Sequence, residues 1–155
     1  MRKVGTDVFH HVGRDYLLLI DYHSNYPEVA LLPDLTSKSV ITHLKSMMTR
    51  HGIPRTLVSD NARYYRSAEF KSFSTLYGFQ HSTSSPFYPQ SNGLAERGVG
   101  IVKQMLKKAT EETSDPYLAL LNNRATLFEG GMSPAELIMG RKLRTSCQMH
   151  LNYRI

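Results

Sequence analysis

Tyr16-Leu17-Leu18-Leu19-Ile20-Asp21-Tyr22 is an apolar run about one strand long, and the segments on either side of it decide the fold. A run this short and this apolar suits a strand buried on both faces. Upstream, Lys3 to Val12 reads as a strand interrupted by polar residues, with a turn at Gly13-Arg14 between the two. Downstream of Pro27, Glu28-Val29-Ala30-Leu31-Leu32 is a third strand candidate. Three such segments at hairpin spacing predict an antiparallel meander.

The pattern then changes period. Thr36 or Ser37 can N-cap a helix whose Val40, Ile41, Leu44, Met47 and Met48 recur at helical spacing, with His51-Gly52 as its end and Pro54 just beyond. Thr56-Leu57-Val58-Ser59 is short, apolar and β-branched, a strand that delivers Asp60 at its C-terminal end. A second helix is predicted over about Ser67 to Tyr77, a strand over Phe79 to Thr83, and a loop over Ser84 to Gly93. Leu94, Gly98, Ile101, Val102, Met105 and Ala109 share one helical stripe, which predicts a long amphipathic helix to about Glu111. Further helices are expected at Asp115 to Leu127 and Pro134 to Met139, the second with Ser133 as N-cap and Pro134 at its first position. Strands followed by helices describe a mixed α/β domain, residues 1–145, with 146–155 as a tail leading out of it.

Composition narrows the function classes. The 155 residues and 41% hydrophobic content suit one compact domain with a single core. Nineteen Lys and Arg against 13 Asp and Glu give a net charge of +6, which favours a polyanionic partner but leaves the motifs to decide. Cys147 is the one cysteine, so neither an internal disulfide nor a Cys/His zinc signature is available, and a reducing compartment fits. No apolar run approaches the ~20 residues of a membrane span. Met1-Arg2-Lys3 leads into Gly5, Thr6 and Asp7 instead of an apolar signal core, so neither membrane nor export is expected.

Three carboxylates stand out by placement: Asp7 in the first strand, Asp60 at the end of the strand after the first long helix, and Glu96 in the opening turns of the long helix. A carboxylate near a core needs a partner, and neither Asp7 nor Asp60 has an obvious cation on its own strand face. Hard divalent cations such as Mg²⁺ take a few carboxylate oxygens and keep other positions for water or phosphate. Two such ions about 4 Å apart suit phosphoryl transfer. Any single Asp or Glu is ordinarily a solvated surface residue, however, and spacing alone does not overturn that.

The surrounding words do. Val58-Ser59-Asp60-Asn61 and Ser84-Ser85-Pro86-Phe87-Tyr88-Pro89-Gln90-Ser91-Asn92-Gly93-Leu94-Ala95-Glu96-Arg97 together resemble the catalytic core of retroviral and Ty3/gypsy-type retrotransposon integrases. That family separates a second Asp and a Glu by 35 residues, and here positions 61 to 95 intervene, which is 35. Val4-Gly5-Thr6-Asp7 with the run 16–22 resembles the family's first carboxylate strand and its hairpin partner, and Ser133-Pro134-Ala135-Glu136-Leu137-Ile138-Met139-Gly140-Arg141 its closing segment. The resemblance runs from about Lys3 to Arg144. It implies a ribonuclease-H-like fold, a five-stranded mixed sheet flanked by helices, and Asp7, Asp60 and Glu96 as catalytic metal ligands for two Mg²⁺ (or Mn²⁺) ions. It further implies nicking near element DNA ends followed by attack of the 3′-hydroxyl on target DNA, without a covalent protein intermediate. Cys147 and the serines then have no nucleophilic part. The partners implied are element and target DNA and further copies of the chain, in the nucleus, with no membrane and no small-molecule substrate.

The long helix adds an argument of its own. Lys103 and Lys107 follow Glu96 by seven and eleven positions, within about 20° of one helical face, where a duplex end reaching Glu96 would lie along them. The plain alternative is the solvated side of an amphipathic helix. Asn61 beside Asp60, and Tyr88, Gln90, Ser91 and Asn92 with Phe87 in the loop, are the other candidates for positioning DNA; the loop residues are otherwise a loop pinned by its own apolar side chains. His10, His11, His23, His43, His51 and His150 lack zinc-helix spacing and read as structural or surface. His81 is set apart, because family members often carry His there, near the sheet edge.

Two departures shape the expectations. The family usually has Gly where Ala62 stands, with an aromatic residue at the place of Tyr65. If the turn demands positive φ, Ala62 is strained by about 1 kcal/mol, and strain is the reading favoured here, unless Asn61 takes the left-handed conformation instead. The chain also lacks the amino-terminal His/His/Cys/Cys module and the carboxy-terminal module of full-length integrases, the pattern of a fragment, a truncated gene or a domesticated remnant. Three functions compete. An active core needs the intact triad; a domesticated nucleic-acid-binding or interaction module, catalytically weak or inactive, tolerates its loss; a ribonuclease-H-type nuclease shares the triad without the Pro-Gln-Ser-Asn-Gly word.

Overall fold

The structure is a computed structural model that describes residues 1–83, 93–111, 115–126 and 131–145, apart from the side chains of Leu94, Glu96 and Thr110. Contacts gather the chain into two compact units, one of Met1–His23 with Pro27–Val99, the other of Ser24–Tyr26 with Gly100–Ile155.

The first unit holds the sheet. Strands β1 (Lys3–His11), β2 (Arg14–Asp21) and β3 (Pro27–Leu32) form the predicted antiparallel meander, and β4 (Thr56–Ser59) and β5 (Gln80–Thr83) add to β1 in parallel. Among the described residues the strand order is β3-β2-β1-β4-β5, which makes the sheet mixed and puts β1 at its centre. Period-two alternation divides it into two faces. Val4 of β1, Leu17 and Leu19 of β2 and Leu57 of β4 join one buried cluster with Val40, Leu44 and Met47 of α1 (Ser37–His51) and Phe70 and Phe73 of α3 (Ala68–Tyr77). Leu18 and Ile20 point to the opposite face, so β2 is buried on both, as its unbroken apolar run requires.

Local chemistry sets the element ends. Thr36 caps α1 by accepting from the Ser39 amide, and Gly52 ends it at φ 85°. The predicted second helix is α3, started by an extended Ser67 (φ −67°, ψ 156°) whose hydroxyl accepts from the Phe70 amide, and a short helix that the sequence pattern does not mark, α2 (Arg63–Arg66), precedes it. The hairpin register pairs His11 with Arg14 and leaves Val12-Gly13 as a two-residue loop, with φ of 47° and 73°. Positive φ at both places is what a type I′ turn demands, and a β-branched residue resists it. Because Val12 is 73% exposed it buries little, so Val12→Asn should raise stability by about 1 kcal/mol, a few degrees in a thermal melt. A lowered melting temperature would contradict this account of the turn.

The second unit carries the later turns of α4 (Gly93–Glu111), then α5 (Pro116–Ala125) and α6 (Pro134–Met139). Asp115 caps α5 through the Tyr117 amide, and Ser133 caps α6, its hydroxyl accepting from the Glu136 amide and lying 3.4 Å from the Glu136 carboxylate. Arg124 lies over the ring of Tyr26, 4.6 Å from its centroid. No described helix is long and apolar enough to cross a membrane.

Candidate active site

Asp7 lies in mid-β1 and Asp60 just past the end of β4. The parallel register pairs Val4 with Leu57 and Gly5 with Val58; continued by two residues, it sets Asp60 beside Asp7. Both side chains are half-buried. By alternation they share the sheet face of Leu18, the antiparallel partner of Asp7, opposite the face of Val4 and Leu57. Each is oriented by a short backbone contact: Asp7 Oδ1 accepts from the Val8 amide at 2.8 Å, and Asp60 Oδ1 from the Ala62 amide at 2.9 Å.

The first turns of α4 cover this face. A Cβ on Gly98 would sit 2.9 Å from Ile20 Cδ1 and 3.1 Å from Leu18 Cδ2, so the helix backbone rests almost on β2. Ala95, three residues earlier on the same helical face, is fully buried. The backbone of Glu96 therefore stands on the carboxylate face, over the strand next to β1, while its side chain lies outside the description. Among the described residues no three His, Cys, Asp or Glu side chains converge. The two aspartates alone supply the hard oxygen donors that Mg²⁺ or Mn²⁺ prefers, and their half-burial beside each other fits a shared divalent cation.

Tyr64 registers both charges. Its hydroxyl pKa is pushed up to about 12, first by burial and then by the carboxylates of Asp60, Asp7 and Asp15. It lines an open cleft of about 540 Å³ with Arg63, Arg66, Leu35 and the helix-starting Thr36, Ser37 and Ser67. Sequence reasoning passed over Tyr64; the adjacent aromatics Tyr64-Tyr65 directly after Asp60-Asn61 were the available signal.

A hydroxyl precedes each aspartate, and both are fully buried on the other face of the sheet: Thr6 and Ser59, each 0% exposed. Thr6 Oγ1 donates to the Leu18 carbonyl at 2.9 Å and lies 3.1 Å from the Tyr65 hydroxyl. Ser59 Oγ donates to the Asp60 carbonyl at 2.8 Å and lies 2.7 Å from His81 Nε2. Tyr65 and His81 both pack on Phe70, with centroids 5.4 Å and 4.7 Å away. Burial lowers the His81 pKa and favours the neutral ring.

The turn after Asp60 corrects one expectation. Ala62 has φ −65° and ψ 153°, and the positive-φ residues other than glycine are Val12 and Asn25 among the described residues, so neither Ala62 nor Asn61 is left-handed. The Asp60 carboxylate shapes the turn by taking the Ala62 amide, and an extended residue at that place has no need of glycine. Ala62→Gly should therefore destabilise the domain by about 0.5–1 kcal/mol through the unfolded chain's greater freedom. A higher melting temperature for the Gly variant would restore the strain reading.

Of the DNA-contact candidates, Asn61 is exposed beside Asp60, and Lys103 and Lys107 are exposed on α4. Phe87, Tyr88, Gln90, Ser91 and Asn92 lie outside the described residues, as do Cys147, His150 and the tail 146–155.

Comparison with known proteins agrees with this geometry. Residues 2–89 match the integrase core domain family. The chain is 33% identical over 141 residues to the Gag-Pro-Pol polyprotein of sheep pulmonary adenomatosis virus, an alignment covering 85% of this chain and 8% of the polyprotein. It spans about a tenth of the length of such relatives. The catalytic core domain of BIV integrase superposes with a TM-score of 0.77 at 21% identity, over 98% of both chains. The HTLV-2 integrase catalytic core domain in complex with magnesium, in its dimeric form, does so with a TM-score of 0.73 at 25% identity, over 88% of this chain and 94% of that one. The five-stranded mixed sheet with flanking helices is thus the ribonuclease-H-like fold of integrase cores, and the chain belongs to the integrase core domain family.

Proposed function

We propose that the chain is the catalytic core of a retroelement integrase of Ty3/gypsy type, processing the 3′ ends of element DNA and joining them to target DNA at a divalent-metal site held by Asp7, Asp60 and Glu96. The observation that carries this reading is the placement of Asp7 and Asp60 side by side on the face covered by the first turns of α4. Bound divalent metal would polarise the scissile phosphate and stabilise charge on the attacking and leaving oxygens. The chain's own part is to hold that chemistry in place. Asp7 presents its carboxylate from the central strand of the sheet, where it pairs with Leu18 of β2, and Asp60 presents its own from a turn closed by the Ala62 amide. Glu96 enters from the helix. Lys103 and Lys107 supply cations for phosphates, while Asn61, Tyr88, Gln90, Ser91 and Asn92 orient the DNA strand near the acids. The magnesium complex of the HTLV-2 core supports the choice of metal, and its dimeric form supports self-association as the working state.

Titrating Mg²⁺ or Mn²⁺ against a labelled DNA end, and scoring nicked and joined products separately, tests this reading. Both products should appear with metal and vanish on chelation. Nicking without joining would move the chain toward a nuclease. DNA binding with neither product would favour the domesticated interaction module.

A further inference from the structure

Asp60 is held less directly than Asp7. Among the described residues β pairing on β4 stops at Ser59, so the Asp60 peptide lies past the last ladder bond. Its carbonyl is instead taken by Ser59 Oγ at 2.8 Å, and that oxygen lies 2.7 Å from His81 Nε2. The direction of the second bond follows from counting protons. A serine hydroxyl has one proton, and the Asp60 carbonyl can only accept it. His81 must therefore donate its Nε2 proton to Ser59, giving a directional chain from imidazole to hydroxyl to carbonyl, each bond polarising the next. The ring at the head of this chain packs against Phe70, centroids 4.7 Å apart and planes tilted by 54°, on a strand whose register pairs His81 with Leu57. Leu57 and Ser59 face the same side of β4, so the imidazole meets the hydroxyl on the core face while the Asp60 carboxylate emerges on the other.

We propose that His81 is a positioning residue of the metal site, fixing the Asp60 peptide through Ser59 and thereby the angle at which the Asp60 carboxylate faces Asp7. This rests on reading Asp7 and Asp60 as metal ligands. The competing role for His81 is plain packing against Phe70, and the two roles differ in what a substitution at position 81 must keep.

Three variants separate them. His81→Gln keeps an N–H donor at the reach of Nε2, His81→Leu keeps apolar bulk without a donor, and Ser59→Ala removes the relay while leaving the ring. Mn²⁺ binding to the DNA-free protein is measured from the electron paramagnetic resonance signal of the unbound ion, with a melting curve for each variant. His81→Leu and Ser59→Ala should each weaken Mn²⁺ binding by about ten-fold and raise by the same factor the metal needed for half-maximal nicking, as lost orienting contacts to metal ligands do. His81→Gln should restore binding to within about two-fold of wild type. Wild-type Mn²⁺ affinity in Ser59→Ala, or in a folded His81→Leu protein, overturns the proposal, as does His81→Gln binding no better than His81→Leu. Asp7→Asn is the reference. If it abolishes binding while the three variants bind as wild type does, only the positioning role falls; if wild type binds no Mn²⁺, the metal reading falls and takes this inference with it.

Discussion

Asp7→Asn and Asp60→Asn are each expected to reduce metal-dependent nicking and joining by on the order of a thousand-fold or more, while the folded protein persists. The chemistry assigned to the metal amounts to several kcal/mol of transition-state stabilisation, and each 1.4 kcal/mol is about a factor of ten in rate. An amide is a neutral and weaker ligand for a hard cation, so losing one anionic oxygen from so small a ligand set is not made up by its neighbours. Glu96→Gln should behave in the same way. Folding should survive for a structural reason: the amide oxygen of Asn can still accept from the Val8 or Ala62 backbone, as the carboxylates do now. The substitution also removes one of two adjacent like charges, so without metal the variants should melt at or above the wild-type temperature, and divalent metal should no longer raise it. More than a tenth of wild-type activity in either aspartate variant would remove that residue from the metal site.

Phe70→Ala is expected to carry the largest stability cost, about 3–5 kcal/mol, or about 10 °C in melting temperature for a chain of this size. Phe70 is fully buried, and its ring meets Tyr65, Phe73, Phe79 and His81 at centroid distances of 5.4, 5.5, 6.4 and 4.7 Å. Removing it opens a cavity at the centre of an aromatic layer that the surrounding strands and helices have little room to close. The same ring backs the two residues that bond Thr6 and Ser59, so the variant should also bind metal more weakly at temperatures where it is still fully folded. Chemical denaturation with a parallel Mn²⁺ titration reads both effects. A stability loss under about 1.5 kcal/mol would mean that the layer repacks, and that Phe70 is one contact among many.

Much of this was legible in the chain because it depends on near neighbours. The short apolar strands, the Thr36 cap and the Ser133-Pro134 helix start each follow from a few consecutive residues, and the structure has them close to where the pattern puts them. The start at Ser67 is local as well, its hydroxyl accepting from the Phe70 amide, whereas the four-residue α2 before it is too short to show a helical period. Ala62 shows a different limit. A glycine habitual at that place in relatives carries no φ of its own, and the Asp60 carboxylate solves the turn at φ −65°. The pairing of Thr6 with Tyr65 and of Ser59 with His81 spans 59 and 22 residues and depends on register, which no local window holds. The role of Glu96 came from resemblance to integrases and not from periodicity.

The strand order has a consequence for how the protein comes to fold. β1, β2 and β3 are consecutive and antiparallel, so the half of the sheet that carries Asp7 closes through short loops and is fast to assemble. β4 and β5 join in parallel only after α1 and then α2 and α3 have crossed over, with the greater closure entropy that long connections impose. The two aspartates thus belong to an early and a late stage of one pathway. A nascent chain that has formed only its meander holds Asp7 without Asp60 and cannot offer that pair to a cation. Affinity for a divalent ion then arises only once β4 has closed on β1, and binding there would slow the reopening of that contact.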